Sequence, residues 1–200
     1  MGHITFAALT GEYTRRLIAM KINEDQQEEL TARVKVILAR ATAHDQGQVT
    51  AATGIPKLWW MASFERESSS DYSTNPAQGD PWDRKSTHVP RGMGPYENWY
   101  SAAIAAYDMS GLNKVGAENW TWEQGCYRGE AFNGFGPRQH GRATGYLWSW
   151  SNQYNGGKYI ADGIWSSSAV DQQCGMIPLM VEMLRQDPSL ALVNPYPTGV

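Results

Sequence analysis

Residues 58–64 read Leu-Trp-Trp-Met-Ala-Ser-Phe. Placed on a helical wheel, the segment is apolar nearly all round, and a helix of that kind has to be buried on every side. The rest of the chain must therefore wrap around it. Gly54-Ile55-Pro56 starts this helix, with Pro56 in the first turn, where a missing N–H does no harm. The helix then runs into Glu65-Arg66-Glu67 and ends in Ser68-Ser69-Ser70. Three charges where a core helix emerges have two readings. They are solvated helix-end charges, or one of them is a carboxylic acid held against apolar walls. Burial would raise the pKa of such an acid, so that it keeps a proton to donate.

The remaining elements are also helical. Leu9, Tyr13, Leu17 and Met20 recur at helical spacing, as do Leu30, Val34, Ile37, Leu38 and Ala41. Residues 1–45 thus form a helical annex, whose second helix starts at Asn23 with Gln26 three residues on. Residues 71–95 have no helical period and form a long polar loop, with a short hairpin expected around Lys85–Val89. A helix follows over Tyr96–Met109, stopped by Gly111. Thr121-Trp122-Glu123-Gln124 is a capping box that opens a helix running to about Phe132, and Asn133-Gly134 breaks it. A last helix is expected from Ser168 to Gln186, kinked at Pro178. The fold class is mainly α: one domain over 1–200, with a core at 50–185 and a small β-hairpin or irregular loop beside a cleft.

Composition excludes several functions. Charged residues are 18% of the 200, under the usual ~25%, which argues against disorder. A net charge of −3 argues against a nucleic-acid partner. No apolar run reaches the ~20 residues that span a bilayer, so no membrane is expected, and with no visible leader pattern no secretory signal is expected either. The two cysteines, Cys126 and Cys174, form no CxxC, and the four histidines are scattered. Neither a metal nor a cofactor is called for; the cysteines are buried thiols or a single disulfide. The unusual number is 9 Trp and 10 Tyr against 4 Phe. Trp and Tyr join a flat apolar face to a polar edge, which suits sugar rings as well as a packed core. Composition leaves both open.

The motifs of serine hydrolases, phosphate loops and dinucleotide sites are missing. Carboxylates and aromatics remain, the groups used in glycoside cleavage. Glu67-Ser68-Ser69 at the end of a buried helix, with a later Ala131-Phe132-Asn133-Gly134, resembles the lysozyme superfamily, including goose-type lysozymes and lytic transglycosylases. A group of lysozyme-like proteins with phage endolysins among them is closer. Five blocks carry that resemblance in order: Arg66–Ser69, Gly79–Pro81, Thr87–Pro90, Glu130–Gly136 and Gly157–Gly163.

The resemblance implies a muramidase, which cleaves the β-1,4 bond between N-acetylmuramic acid and N-acetylglucosamine in peptidoglycan. It selects Glu67 as the general acid and leaves Glu65 on the solvated side of the helix end. It implies Asp80 and Thr87 as catalytic partners, Asp80 activating water for inversion. His88, Glu130, Asn133, Trp148, Tyr154 and Lys158 are implied as substrate-binding residues. Glu130 is read either as a second cleft carboxylate or as the partner of Arg128 or Arg138. Phe132 stands where the transglycosylase motif has a tyrosine. The resemblance further implies a monomer made in the cytoplasm, acting on the bacterial wall after release, as in phage lysis. Three other functions compete: a lytic transglycosylase forming 1,6-anhydro ends, a chitinase, and a non-catalytic wall-binding module.

Overall fold

The computed structural model describes residues 4–44, 47–76, 79–88 and 90–198. Among them the architecture is mainly helical, with one two-stranded antiparallel sheet. Helix α1 spans Phe6–Ala19, α2 Gln27–His44, α3 Gln48–Thr53 and α4 Lys57–Ser68. Helix α5 spans Trp99–Met109, α6 Trp122–Asn133, and the short α7 and α8 span Gly136–Gln139 and Gly145–Trp148. Strands β1, Lys158–Ala161, and β2, Ile164–Ser166, form a hairpin before α9, Met176–Gln186.

Every residue from Leu58 to Phe64 is buried, as an all-apolar wheel requires. Helix α4 packs chiefly on α9, with α2 alongside both; α1 packs on α6, and α8 on α6 and α9. Tyr13, Leu17, Leu30, Val34 and Ile37 belong to the same hydrophobic cluster as Trp59 and Trp60. The first two helices are therefore part of one core rather than an annex to it. The tryptophans resolve the same way. Trp59, Trp60, Trp99, Trp120, Trp122, Trp148 and Trp150 are buried, leaving Trp82 and Trp165 partly exposed. The aromatic excess is mostly core.

Local signals explain most boundaries. Thr121 accepts a 3.1 Å bond from the Gln124 N–H, as the capping box requires. Gly134 closes α6 at φ 89°, a conformation that side-chain-bearing residues avoid. Among the differences from the sequence reading are two helix starts and one kink. A 3₁₀ turn over Glu24–Gln26 precedes α2, because the Asn23 side chain donates to Gln26 instead of capping the helix. The last helix starts at Met176, not Ser168; Asp171 faces Arg66 at 2.7 Å, which holds the preceding segment out of helix. Pro178 consequently falls in the first turn, where it breaks no hydrogen bond.

The hairpin is also elsewhere. Residues 85–88 carry no strand, and the sheet lies at 158–166 instead; Val89 is outside the described residues. The N–H groups of Thr87 and His88 both donate to Asp80, so they are not available to a strand partner. Cys126 and Cys174 are free and buried. Among the described residues no helix is long and apolar enough to cross a membrane. No group of three His, Cys, Asp or Glu residues there could hold a metal.

Candidate active site

Helix α4 delivers Glu67 to the wall of a cleft of about 680 Å³. Ala106, Met109 and Leu112 form one side, Ala131 and Phe132 at the end of α6 the other, and Asn133 and Arg128 add polar groups. Glu67 is the one carboxylate among the described residues that line it. The walls are largely apolar, and burial pushes the Glu67 carboxyl above its ordinary pKa. Two groups oppose this: the Tyr146 hydroxyl, which donates to Glu67 Oε1 at 2.7 Å, and the neighbouring Arg66. The net direction is upward, toward a proton retained nearer neutral pH.

Tyr146 sits on α8 and is buried. Its hydroxyl is also 3.5 Å from Ser63 Oγ, and the Arg66 guanidinium lies 5.0 Å from its ring centroid. Ser63 and Glu67 are four residues apart on one helical face. The single hydroxyl in the apolar run of α4 thus marks the face that meets Tyr146. That hydroxyl is a local sequence signal, whereas Tyr146, one of several aromatics in its stretch, carries none of its own. It brings a phenol to the acid, which Phe132 cannot do.

Asp80, Thr87 and His88 come together, as a self-contained knot. Asp80 accepts from the Thr87 N–H at 2.9 Å, the His88 N–H at 2.9 Å and the Thr87 hydroxyl at 3.1 Å. Its Oδ1 is also 2.8 Å from His88 Nδ1. The His88 N–H, with Thr87 and the His88 ring adding to it, holds the Asp80 carboxyl down to about 2. Neither Asp80 nor Thr87 lines the cleft beside Glu67. The knot ties the polar loop back on itself: the Asn75 N–H donates to the Asp80 carbonyl at 2.7 Å.

Glu130 is buried and turned away from the cleft. It pairs with Arg138 at 2.7 Å and accepts from the Tyr13 hydroxyl at 2.7 Å, which fastens α1 to α6. Of its two readings, the ion pair with Arg138 is the one formed. Trp148 is 1% exposed and lies in the core. The Tyr154 hydroxyl is used by the Gly157 carbonyl and the Asp171 N–H, at 3.2 and 3.1 Å. Asn133 lines the cleft and donates to Thr144 at 3.4 Å. Lys158 stands at a second, smaller chamber that Asn133 also lines.

Glu65 is not solvated. It pairs with Arg33, and the Ser70 hydroxyl donates to it at 2.7 Å. Arg40 donates to the carbonyls of Ser69 and Ser70 at 3.0 and 3.2 Å. Both serines have φ 51°, a left-handed conformation that costs a non-glycine residue about 1–2 kcal/mol. The Glu65–Arg33–Arg40 cluster thus holds the strained turn that ends the Glu67 helix. No family model, no curated protein and no solved structure matches this chain.

Proposed function

We propose that the chain cleaves the β-1,4 bond between N-acetylmuramic acid and N-acetylglucosamine in peptidoglycan, with Glu67 as the proton donor. The observation that carries the reading is Glu67 itself: a carboxyl with raised pKa, held by a buried phenol, facing an open, largely apolar cleft. A general acid needs such an environment to stay protonated near neutral pH and to give up its proton in place. The five blocks resembling lysozyme-like proteins supply the substrate.

The same geometry favours the transglycosylase route over the inverting hydrolase. An inverting enzyme needs a second carboxylate to activate water. Asp80 is committed to four groups of its own loop, and Glu130 to Arg138 and Tyr13. In the proposed step Glu67 protonates the glycosidic oxygen, and the bond from that oxygen to C1 of the muramic residue breaks. The 6-hydroxyl of the same residue attacks C1 and returns its proton to the Glu67 carboxylate. A 1,6-anhydro end forms and no water is consumed. Asn133, which lines the same cleft, would meet an N-acetyl group beside the acid.

Glu67→Gln tests the assignment on purified peptidoglycan. Losing a general acid costs about 10²–10⁴-fold in rate, so release of soluble fragments should fall by that much while the fold is retained. Digestion at the wild-type rate by Glu67→Gln would end the reading.

A further inference from the structure

Beside the Glu67 cleft lies a second chamber of about 250 Å³; Asn133 lines both, and Tyr146 lines the second. Its character differs from the first. Arg66 and Asp171 form an ion pair at 2.7 Å within it, at 6% and 9% side-chain exposure. Both oxygens of Asp171 are engaged: Oδ2 takes Arg66, and Oδ1 accepts the Gln173 N–H at 3.2 Å. Lys158 reaches over the same carboxylate from β1, but its ammonium stops at 3.9 Å, beyond hydrogen-bond reach. With 40% of its side chain exposed, it stands at the mouth. Buried Arg66 Nε has no hydrogen-bond partner among the described residues. Two cations thus share one carboxylate, which leaves the chamber one positive charge in excess.

The space is built rather than accidental. A Cβ on Gly145 would fall 2.7 Å from Asp171 Cβ and 3.1 Å from the Tyr154 ring, so only glycine lets α8 approach the ion pair. The hairpin that carries Lys158 is pinned from outside. The His140 ring stacks on Trp165 at 4.1 Å, and its Nε2 is 3.1 Å from the Tyr159 hydroxyl.

We propose that this chamber binds a carboxylate of the substrate through Lys158, with Arg66 behind it, and so makes the cleft select muramic-acid polymers over chitin. The inference rests on the proposed glycan cleavage at Glu67. Chitin offers no carboxylate. Peptidoglycan offers two sources: the stem peptide, and the lactyl group of muramic acid once that peptide is removed.

The test compares kcat/KM on three soluble substrates: strands with stem peptides, strands stripped of them, and chito-oligomers. The wild-type chain should prefer at least one carboxylate-bearing strand over chito-oligomers by about tenfold or more. Lys158→Met should cut that preference about tenfold, the effect of one charge-assisted contact, and Lys158→Arg should restore most of it. The wild-type preference should also shrink as salt rises from 0.05 to about 0.5 M, a readout that needs no variant. Preference for the stem-bearing strands alone identifies the peptide as the source; preference for stripped strands identifies the lactyl group. Equal cleavage of all three substrates, a salt-independent preference, or a preference unchanged in Lys158→Met would overturn the chamber while leaving the Glu67 reading intact. Failure to cleave any of the three would overturn both.

Discussion

Tyr146→Phe should move the alkaline limb of the pH–rate profile upward and slow the reaction. Tyr146 donates to Glu67 Oε1 at 2.7 Å, a bond that is strongest when the carboxylate is ionised. Removing it disfavours the ionised form, so the Glu67 pKa must rise further. In the proposed reaction Glu67 acts while protonated, so activity would be lost as pH climbs through its pKa, and a higher pKa would carry that limb to higher pH. Hydrogen bonds to charged groups contribute about 1.5–3 kcal/mol. The low end applies, because Glu67 is partly exposed and Ser63 Oγ lies within 3.5 Å of the lost hydroxyl. At 1.36 kcal/mol per pH unit, that shifts the limb by about one unit. The acid also loses its orienting contact, so kcat should fall about tenfold even at the new optimum. The assay is kcat/KM against pH for both proteins, with thermal melts to confirm that phenylalanine fills the buried space. An unmoved limb would refute the argument. A limb displaced to lower pH would mean that Tyr146 favours the protonated acid instead.

Three further perturbations have definite outcomes. Asp80→Asn should loosen the 71–95 loop, seen as faster proteolysis there, while 1,6-anhydro products persist. Because the folded Asp80 carboxyl is held at about 2, below the ordinary 3.8, its stabilisation is present above 3.8 and lost as pH falls through 2; the melting-temperature gap to wild type should be widest at neutral pH and close in acid. Glu65→Gln should lower stability by about 1 kcal/mol through the weakened Arg33 and Ser70 contacts, read by urea unfolding; an unchanged midpoint would show that the cluster does not hold the turn. Ser69→Gly should raise stability by up to about 1 kcal/mol by relieving a left-handed residue, and a loss of stability would refute the claimed strain.

The core helix, and a carboxylate at its end, are legible in the sequence from local signals, while the choice of Glu67 over Glu65 rests on the resemblance. An apolar run with no polar stripe has to be buried, and a carboxylate just beyond it has to meet the core's edge. The capping box at Thr121 and the glycine stop at Gly134 are local in the same way. What escaped depends on contacts between distant segments. Tyr146 lies 79 residues from the acid it touches. Val170 and Cys174 mimic helical spacing, yet the Arg66–Asp171 pair and Ser149, whose hydroxyl donates to the Asp171 carbonyl at 2.9 Å, hold that stretch extended. The tryptophans could equally have lined a cleft or filled a core, and burial decided for the core. Asp80 and Thr87 meet each other, away from the cleft that Glu67 lines, and sequence order alone could not reveal that the loop takes up Asp80's acceptor capacity.

Mass spectrometry of peptidoglycan digested by the purified chain tests the central claim most directly, because it reads the bond broken and the group that attacked it. Cleavage between N-acetylmuramic acid and N-acetylglucosamine, with muramic ends lighter by one water than reducing ends and lost in Glu67→Gln, is the expected result. Reducing muramic ends would contradict the intramolecular route and return Asp80 to consideration as the residue that activates water. An undigested wall, or digestion that persists in Glu67→Gln, would contradict the account as a whole.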